Sequence, residues 1–339
     1  MPQNVPLMGM GLIGFSPQQQ DHLSNLLKTR VQTLRWERRP YLEADALWVN
    51  GERAQRLDNG LVRVPSQVPT TRAIQLNLEE MDRPLGFAMP VAAGTDFPHV
   101  FDPHSSASVA GIFEHFEGML HILTAQLALG GRVADMEGSR ASPVYHLLLR
   151  GKLVAVVNLR GNVGLVPGIS AADVEQADWH GMPASAGDIP EHFSRSSIAE
   201  VMWQFAVRTP RDVLPDRYRT KPIHFRHAPT VRQTMVKDTH LVVLRELSGR
   251  PQSFGELQEN TGLGDAQLAG ALAALYFVGS ITSDGRRANS AAGHPARPAK
   301  ESVEWGTSIA PSALGQPWSL PAPQDPEDET APATLRPET

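Results

Sequence analysis

The sequence predicts a mixed α/β chain: an amino-terminal α/β sheet at residues 1–95, an α+β middle domain at 105–236, a small helical carboxyl-terminal domain at 237–285, and a disordered tail at 286–339. Three observations carry this expectation. Short β-patterned runs interleave with one clear helix in the first part; a long amphipathic helix followed by tight hairpins fills the second; three short helical patterns and a strand fill the third. At 339 residues the length itself gives two or three domains. With 28 glycines and 28 prolines, breakers are frequent enough to keep the elements short.

The chain opens with a strand at residues 11–15. Ser16 and Pro17 then read as a helix N-cap and first-turn proline, and residues 21–30 as a helix with His22, Leu23, Leu26 and Leu27 on one side. Further strands are expected at residues 32–37, 44–49, 61–64, 73–78 and 85–91. Residues 92–104 carry three breakers and read as a linker.

From residue 107 to 129 Val109, Ile112, Phe113, Phe116, Met119, Leu120, Leu123 and Leu127 recur every three or four positions, the mark of one long helix closed by Gly130-Gly131. Apolar runs at 144–149, 153–159 and 163–166 are separated by Arg150-Gly151-Lys152 and Arg160-Gly161-Asn162, which predicts an antiparallel meander. Helices are expected at 171–177 and 194–207. Residues 238–247, 253–261 and 265–278 give three more, and the strand and turn that follow make this last part a winged-helix candidate. The tail is rich in Pro, Ala, Ser and Thr, ends in an acidic cluster at 325–329 and holds Trp305 and Trp318.

The formal net charge of −5 offers no general attraction to nucleic acid or anionic lipid, so such binding has to be local. The absence of cysteine excludes disulfides, thiolate metal sites and a thiol nucleophile, and fits a reducing compartment. No signal-peptide pattern or bilayer-length apolar run is seen, so a cytoplasmic protein without a membrane partner is expected. Neither GxSxG, a Walker loop nor a Ser-His-Asp ordering occurs. The expectation is a non-enzyme with no catalytic, cofactor-binding or metal-binding residues.

Three patterns imitate chemistry. Gly9, Gly11 and Gly14 spell GxGxxG with Glu37 at a ribose-acid distance, but the helix begins only at Ser16-Pro17, so the glycines lie before and within the strand rather than in the turn. Glu114, Glu117 and His121 share metal-ligand spacing on the predicted long helix, where a solvated face explains them equally well and His115 points elsewhere. Arg35, Arg38 and Arg39 beside Trp36 resemble a phosphate-stacking set without its companion motif.

Residues 208–237 carry six Arg, two Lys and two His against Asp212 and Asp216. Arg217, Arg219, Arg226 and Arg232 here, with Arg286 and Arg287 further on, are the candidates for phosphate or nucleic-acid contact. By contrast residues 251–285 contain no Lys or Arg but four acids, and the third helix offers only Gln267 to a base edge. Protein contact is therefore the favoured use of this unit.

With Phe15-Ser16 after the first strand, Asn50 after the third, a residue near Asn77 after the fourth and Met89-Pro90 after the fifth, the first 95 residues resemble a degenerate response-regulator receiver. That family places acids, a phosphoacceptor Asp, a Ser or Thr and Lys-Pro at those points. The resemblance implies a receiver fold whose Ser16, Asn50, Met89 and Pro90 have lost the phosphorylation chemistry. Residues 198–281, through 242–257, Thr261-Gly262-Leu263 and the leucine-rich helix, are similar to the output region of PatA-like bacterial regulators. Together they imply a bacterial signalling adaptor with a protein partner. The alternative is a DNA-binding regulator using residues 208–237 and the terminal unit.

Overall fold

The computed structural model describes residues 5–29, 34–65, 73–92, 96–136 and 142–286. Strand β1 (Leu7–Ile13) leads into helix α1 (Pro17–Thr29), whose start is fixed by a reciprocal cap: the Ser16 N–H donates to Gln19 Oε1, and the Gln19 N–H to Ser16 Oγ. Strands β2 (Arg35–Arg38) and β3 (Ala46–Asn50) lie parallel to β1 on its two sides. The chain then forms a separate three-stranded antiparallel sheet, β4 (Gln55–Arg56), β5 (Leu61–Val64) and β6 (Ile74–Asn77). Strands β7 (Leu85–Ala88) and β8 (Val100–Phe101) complete a parallel sheet in the order β2-β1-β3-β7-β8.

Alternation along the strands gives this sheet two apolar faces. Met8, Met10 and Trp48 pack under Leu23 and Leu27 of α1 and under Val109, Phe113 and Phe116 of α2 (Ser106–Met119). The Trp48 ring lies 5.0 Å from Phe101 and 5.3 Å from Phe113. Ile13, Leu47, Val49 and Phe87 face the other way, onto Val62, Val64 and Leu76 of the small antiparallel sheet. An expected linker at 92–104 thus contains the fifth parallel strand, too short to show a period of its own.

Helix α2 stops at Leu120 (φ −92°, ψ 6°), and α3 (His121–Asp135) follows at once, correcting the single long helix expected from the apolar period. The first packs on the parallel sheet, the second on the next layer. There β9 (Val144–Leu149), β10 (Lys152–Asn158) and β11 (Asn162–Leu165) form the meander, followed by α4 (Ala171–Gln176), β12 (Asp178–Met182), β13 (Ser194–Ser197) and α5 (Ile198–Arg208). The sheet runs β12-β9-β10-β11-β13, with antiparallel neighbours throughout. The β9–β10 turn has Arg150 and Gly151 both at positive φ, 51° and 77°, which matches the twist of a two-residue hairpin.

Gly130 and Gly131 do not close α3 but lie inside it. A Cβ on Gly130 would stand 2.7 Å from Phe205 Cβ, so the missing side chain lets α3 and α5 approach closely. The helix expected from residue 194 begins instead at Ile198, because Ser194–Ser197 pairs with β11 before the Ser197 hydroxyl caps α5 through the Glu200 N–H.

The remaining elements are α6 (Arg217–Thr220), β14 (His224–Phe225), α7 (Asp238–Gly249), α8 (Phe254–Thr261), α9 (Asp265–Phe277) and β15 (Ile281–Thr282). Strands β14 and β15 pair antiparallel, and Ile223 bridges to Gln252 between α7 and α8. Helix α8 opens on a Ser253–Glu256 capping box and ends at Gly262 with φ 68°. Helix α9 is apolar all round, with Leu268, Leu272 and Leu275 fully buried among Trp203 and Ala206 of α5 and Val243 and Leu247 of α7. The described residues all belong to one compact unit. The tail, with Arg287, Trp305 and Trp318, lies outside the described residues.

Candidate functional site

Parallel strands leave their carboxyl ends open where the order of the chain reverses, and ligands of open α/β sheets bind there. In this sheet β1 is followed by α1 on one side of the switch and β3 by the small sheet on the other. A cleft of about 300 Å³ lies at that place. Phe15 enters from the end of β1, Asn50 and Glu52 from β3, Met89 and Pro90 from β7, and Pro103 and His104 from beyond β8. Helix α1 adds Gln18, Gln19, His22 and Leu23.

The apolar part consists of Phe15, Leu23, Met89, Pro90 and Pro103; Met89, which follows the buried strand β7, is 51% exposed. Asn50 is 6% exposed and its Oδ1 accepts from the Glu52 N–H at 3.1 Å, so the amide holds the turn after β3. The His22 and His104 rings lie 5.8 Å apart across the mouth. His104 is set by its backbone N–H, which donates to Asp102 Oδ1.

Among the described residues Glu52 is the only carboxylate lining the cleft, beside amides and imidazoles. A hard divalent cation takes six or more oxygen ligands, commonly from several carboxylates, and this donor set does not fit one. No group of three or more His, Asp or Glu suited to a metal ion occurs among the described residues.

Sequence-derived positions Asn50, Met89 and Pro90 are brought together here, whereas Ser16 caps α1 and does not line the cleft. Their order needs correction. Met89-Pro90 follows the fourth parallel strand, not the fifth, because β6 with Asn77 belongs to the side sheet. The fifth strand is β8, and Asp102-Pro103 follows it.

The glycines of the GxGxxG pattern lie within β1 and at its end. Cβ atoms on Gly9 and Gly11 would meet Arg39 Cγ at 2.8 Å and Leu47 Cδ2 at 2.7 Å, so they make room for neighbouring chain rather than for a pyrophosphate. Glu37 pairs with Arg39. Trp36 is buried against Phe113 and Phe116, which removes its ring from any stacking role. The break at Leu120 separates His121 from Glu114 and Glu117, and His121 Nδ1 bonds the Gly118 carbonyl at 2.7 Å. His115 stacks on His99 at 3.9 Å; burial foremost, then the neighbouring imidazole's charge, holds its pKa below the usual range.

The basic stretch is largely engaged within the protein. Arg219 binds both Asp212 and Asp265 (3.2 Å to the latter) and lies over Phe254, and Arg232 binds Glu200 at 2.9 Å. Arg217 covers the Tyr218 and Tyr276 rings at 5.3 and 5.1 Å. Arg226 Nη1 donates to the Gly279 carbonyl at 3.3 Å; at Arg286, beyond this stretch, it is the backbone N–H that donates to Asp284 Oδ1, at 3.0 Å.

Sequence spacing missed a polar cluster between the parallel sheet and the helices. Arg208 of α5 pairs with Asp45, and Lys237 Nζ reaches Glu43 at 3.5 Å. Burial lowers the Lys237 pKa, against the opposing effect of Glu43. His240, one helical turn on, is buried against Trp203, accepts the Lys237 N–H at Nδ1, and is pushed down to a pKa of about 4 by burial and then by the Lys237 charge. Compared with protein-family models, with curated proteins and with solved structures, the chain matches none of them.

Proposed function

We propose that this chain is a bacterial cytoplasmic signalling adaptor: a receiver-like sheet without phosphoacceptor chemistry, working through protein contact together with a winged-helix-like carboxyl-terminal unit. One observation carries the reading. The sheet order β2-β1-β3-β7-β8 is the 2-1-3-4-5 order of flavodoxin-like folds, and its carboxyl-end cleft presents Phe15, Asn50, Met89 and Pro90 with one carboxylate. An amide is not a phosphoryl acceptor, and one carboxylate is a poor Mg²⁺ site. Exposed Met89 beside prolines and amides suits a partner's side chain. No catalytic role is assigned to any residue.

Purified protein mixed with Mg²⁺ and beryllofluoride should give unchanged amide NMR spectra and tryptophan fluorescence. A response at Asn50 or its neighbours overturns the reading.

The alternative of a DNA-binding regulator is disfavoured by the burial of α9, which has no exposed face for a groove beyond its first turn. It is further disfavoured by the acids that hold Arg219 and Arg232. Duplex affinity that falls steeply with salt and is weakened by Arg226→Ala would restore it.

A further inference from the structure

The cleft at the carboxyl ends of the parallel strands is set before anything enters it. Asn50 and Glu52 line it from the end of β3, and Gly51 between them ties their turn to the Met89-Pro90 segment: its N–H donates to the Ala88 carbonyl at 3.0 Å, and its carbonyl accepts the Ala92 N–H at 3.2 Å. A Cβ on Gly51 would stand 2.6 Å from the Ala88 oxygen, so no side chain fits there. The α1 wall is held by Gln20 Nε2, which donates to the Phe15 carbonyl at 2.9 Å, and the segment before His104 by Ser108 Oγ, which accepts the Asp102 N–H at 2.9 Å. Walls fixed in this way lose little freedom when a partner binds.

At about 300 Å³ the cleft has room for one long side chain, and Phe15, Leu23, Met89, Pro90 and Pro103 make its surface mainly apolar. Charge decides what kind of side chain. Among the described residues no Lys or Arg lines the cleft, and Glu52 is its one carboxylate. Glu37, Glu43, Glu200 and Glu256 each meet an arginine or lysine of the chain. Glu52 meets none among the described residues and is exposed. Asp102, whose Oδ1 accepts the His104 N–H, adds a second negative charge beside the mouth. Apolar walls with an exposed, unanswered carboxylate fit an aliphatic stem that keeps a cationic head at the water, the build of arginine and lysine. His22 and His104, both exposed, with ring centroids 5.8 Å apart, offer flat faces on which a guanidinium stacks and an ammonium does not.

We propose that the cleft receives an arginine side chain of the partner protein, its stem against Phe15, Met89 and Pro90 and its guanidinium at Glu52 and the two imidazoles. This rests on the reading of the cleft as a docking site and names the group that docks there.

The test is amide NMR titration of the full chain with Nα-acetyl-arginine methylamide. Its controls are the citrulline analogue, which has the same shape without the charge, and the lysine analogue, which has the charge without the plane. The arginine probe should shift the Phe15, Asn50, Glu52 and Met89 signals saturably at millimolar concentration, and both controls should bind at least about threefold more weakly. Glu52→Gln should bring the arginine probe down to the affinity of the citrulline probe, with the spectrum outside the cleft unchanged. No saturable shift at the cleft, equal binding of either control, or an undiminished arginine preference in Glu52→Gln overturns the proposal. Each of these leaves the docking reading standing, since that reading fails through a beryllofluoride response measured with no guanidine present.

Discussion

Arg208, the last residue of α5, forms an ion pair with Asp45, 163 positions earlier in the chain. Both side chains are nearly buried, at 15% and 11% exposure, and the second Asp45 oxygen accepts the Gly9 N–H at 2.8 Å. One carboxylate thereby joins β1 to the helix that begins the carboxyl-terminal core.

Removing one partner of such a pair leaves the other charge buried without compensation. Asp45→Ala should lower unfolding stability by about 3 kcal/mol, and the double variant Asp45→Ala/Arg208→Met should recover part of the loss. Urea unfolding of the four proteins measures this. Additive losses would show that the two side chains act separately.

His240 makes stability depend on pH. Its folded pKa of about 4 lies below the ordinary 6.5, so the unfolded chain takes the proton more readily. Stability is therefore full above pH 6.5 and falls as pH drops towards 4, by up to about 3 kcal/mol. His240→Gln keeps an acceptor for the Lys237 N–H and should flatten the fall between pH 7 and 5 in urea midpoints.

Two helical glycines should respond to alanine with opposite signs. Gly130→Ala drives a methyl against Phe205 Cβ and should cost about 1–3 kcal/mol. Gly111, inside α2, has open space at its Cβ position, and Gly111→Ala should stabilise by about 0.5–1 kcal/mol. Thermal melts of both variants compare the shifts directly.

Asn50→Asp restores a carboxylate at the end of β3 while keeping an oxygen for the Glu52 N–H. Phe15 and Ser16 supply no second acid, so intact-mass spectrometry after acetyl phosphate treatment should find no phosphoryl adduct. An adduct of Asn50→Asp would mean that Glu52 alone supports the metal.

Much of the secondary structure was legible because its signals are local. The run Leu61–Val64 has a clean β pattern, Arg150-Gly151 announces a hairpin, and Ser253, Glu256 and Gly262 bracket α8. Two boundaries were not. The apolar period runs through Leu120 without interruption although the helix stops there, and β8 contributes only two residues amid breakers. Missing β8 and counting β6 moved Met89-Pro90 one strand too far along, although the pair still lies at the carboxyl-end cleft. Contacts such as Asp45 with Arg208 leave no periodic trace, because tertiary packing alone brings them together. The roles of Gly9 and Gly11 were readable only in part: their place in the strand followed from the Ser16 cap, their neighbours from the fold.

Helix α9 has one further consequence. Because Trp203 and Ala206 of α5 form part of its enclosure, a fragment starting at Asp238 would carry Leu268, Leu272 and Leu275 without a complete cover. Any autonomous version of this module, whether cut out in the laboratory or transplanted between proteins, has to begin no later than Ile198, which makes α5 the inherited first helix of the terminal module as well as the last of the middle layer.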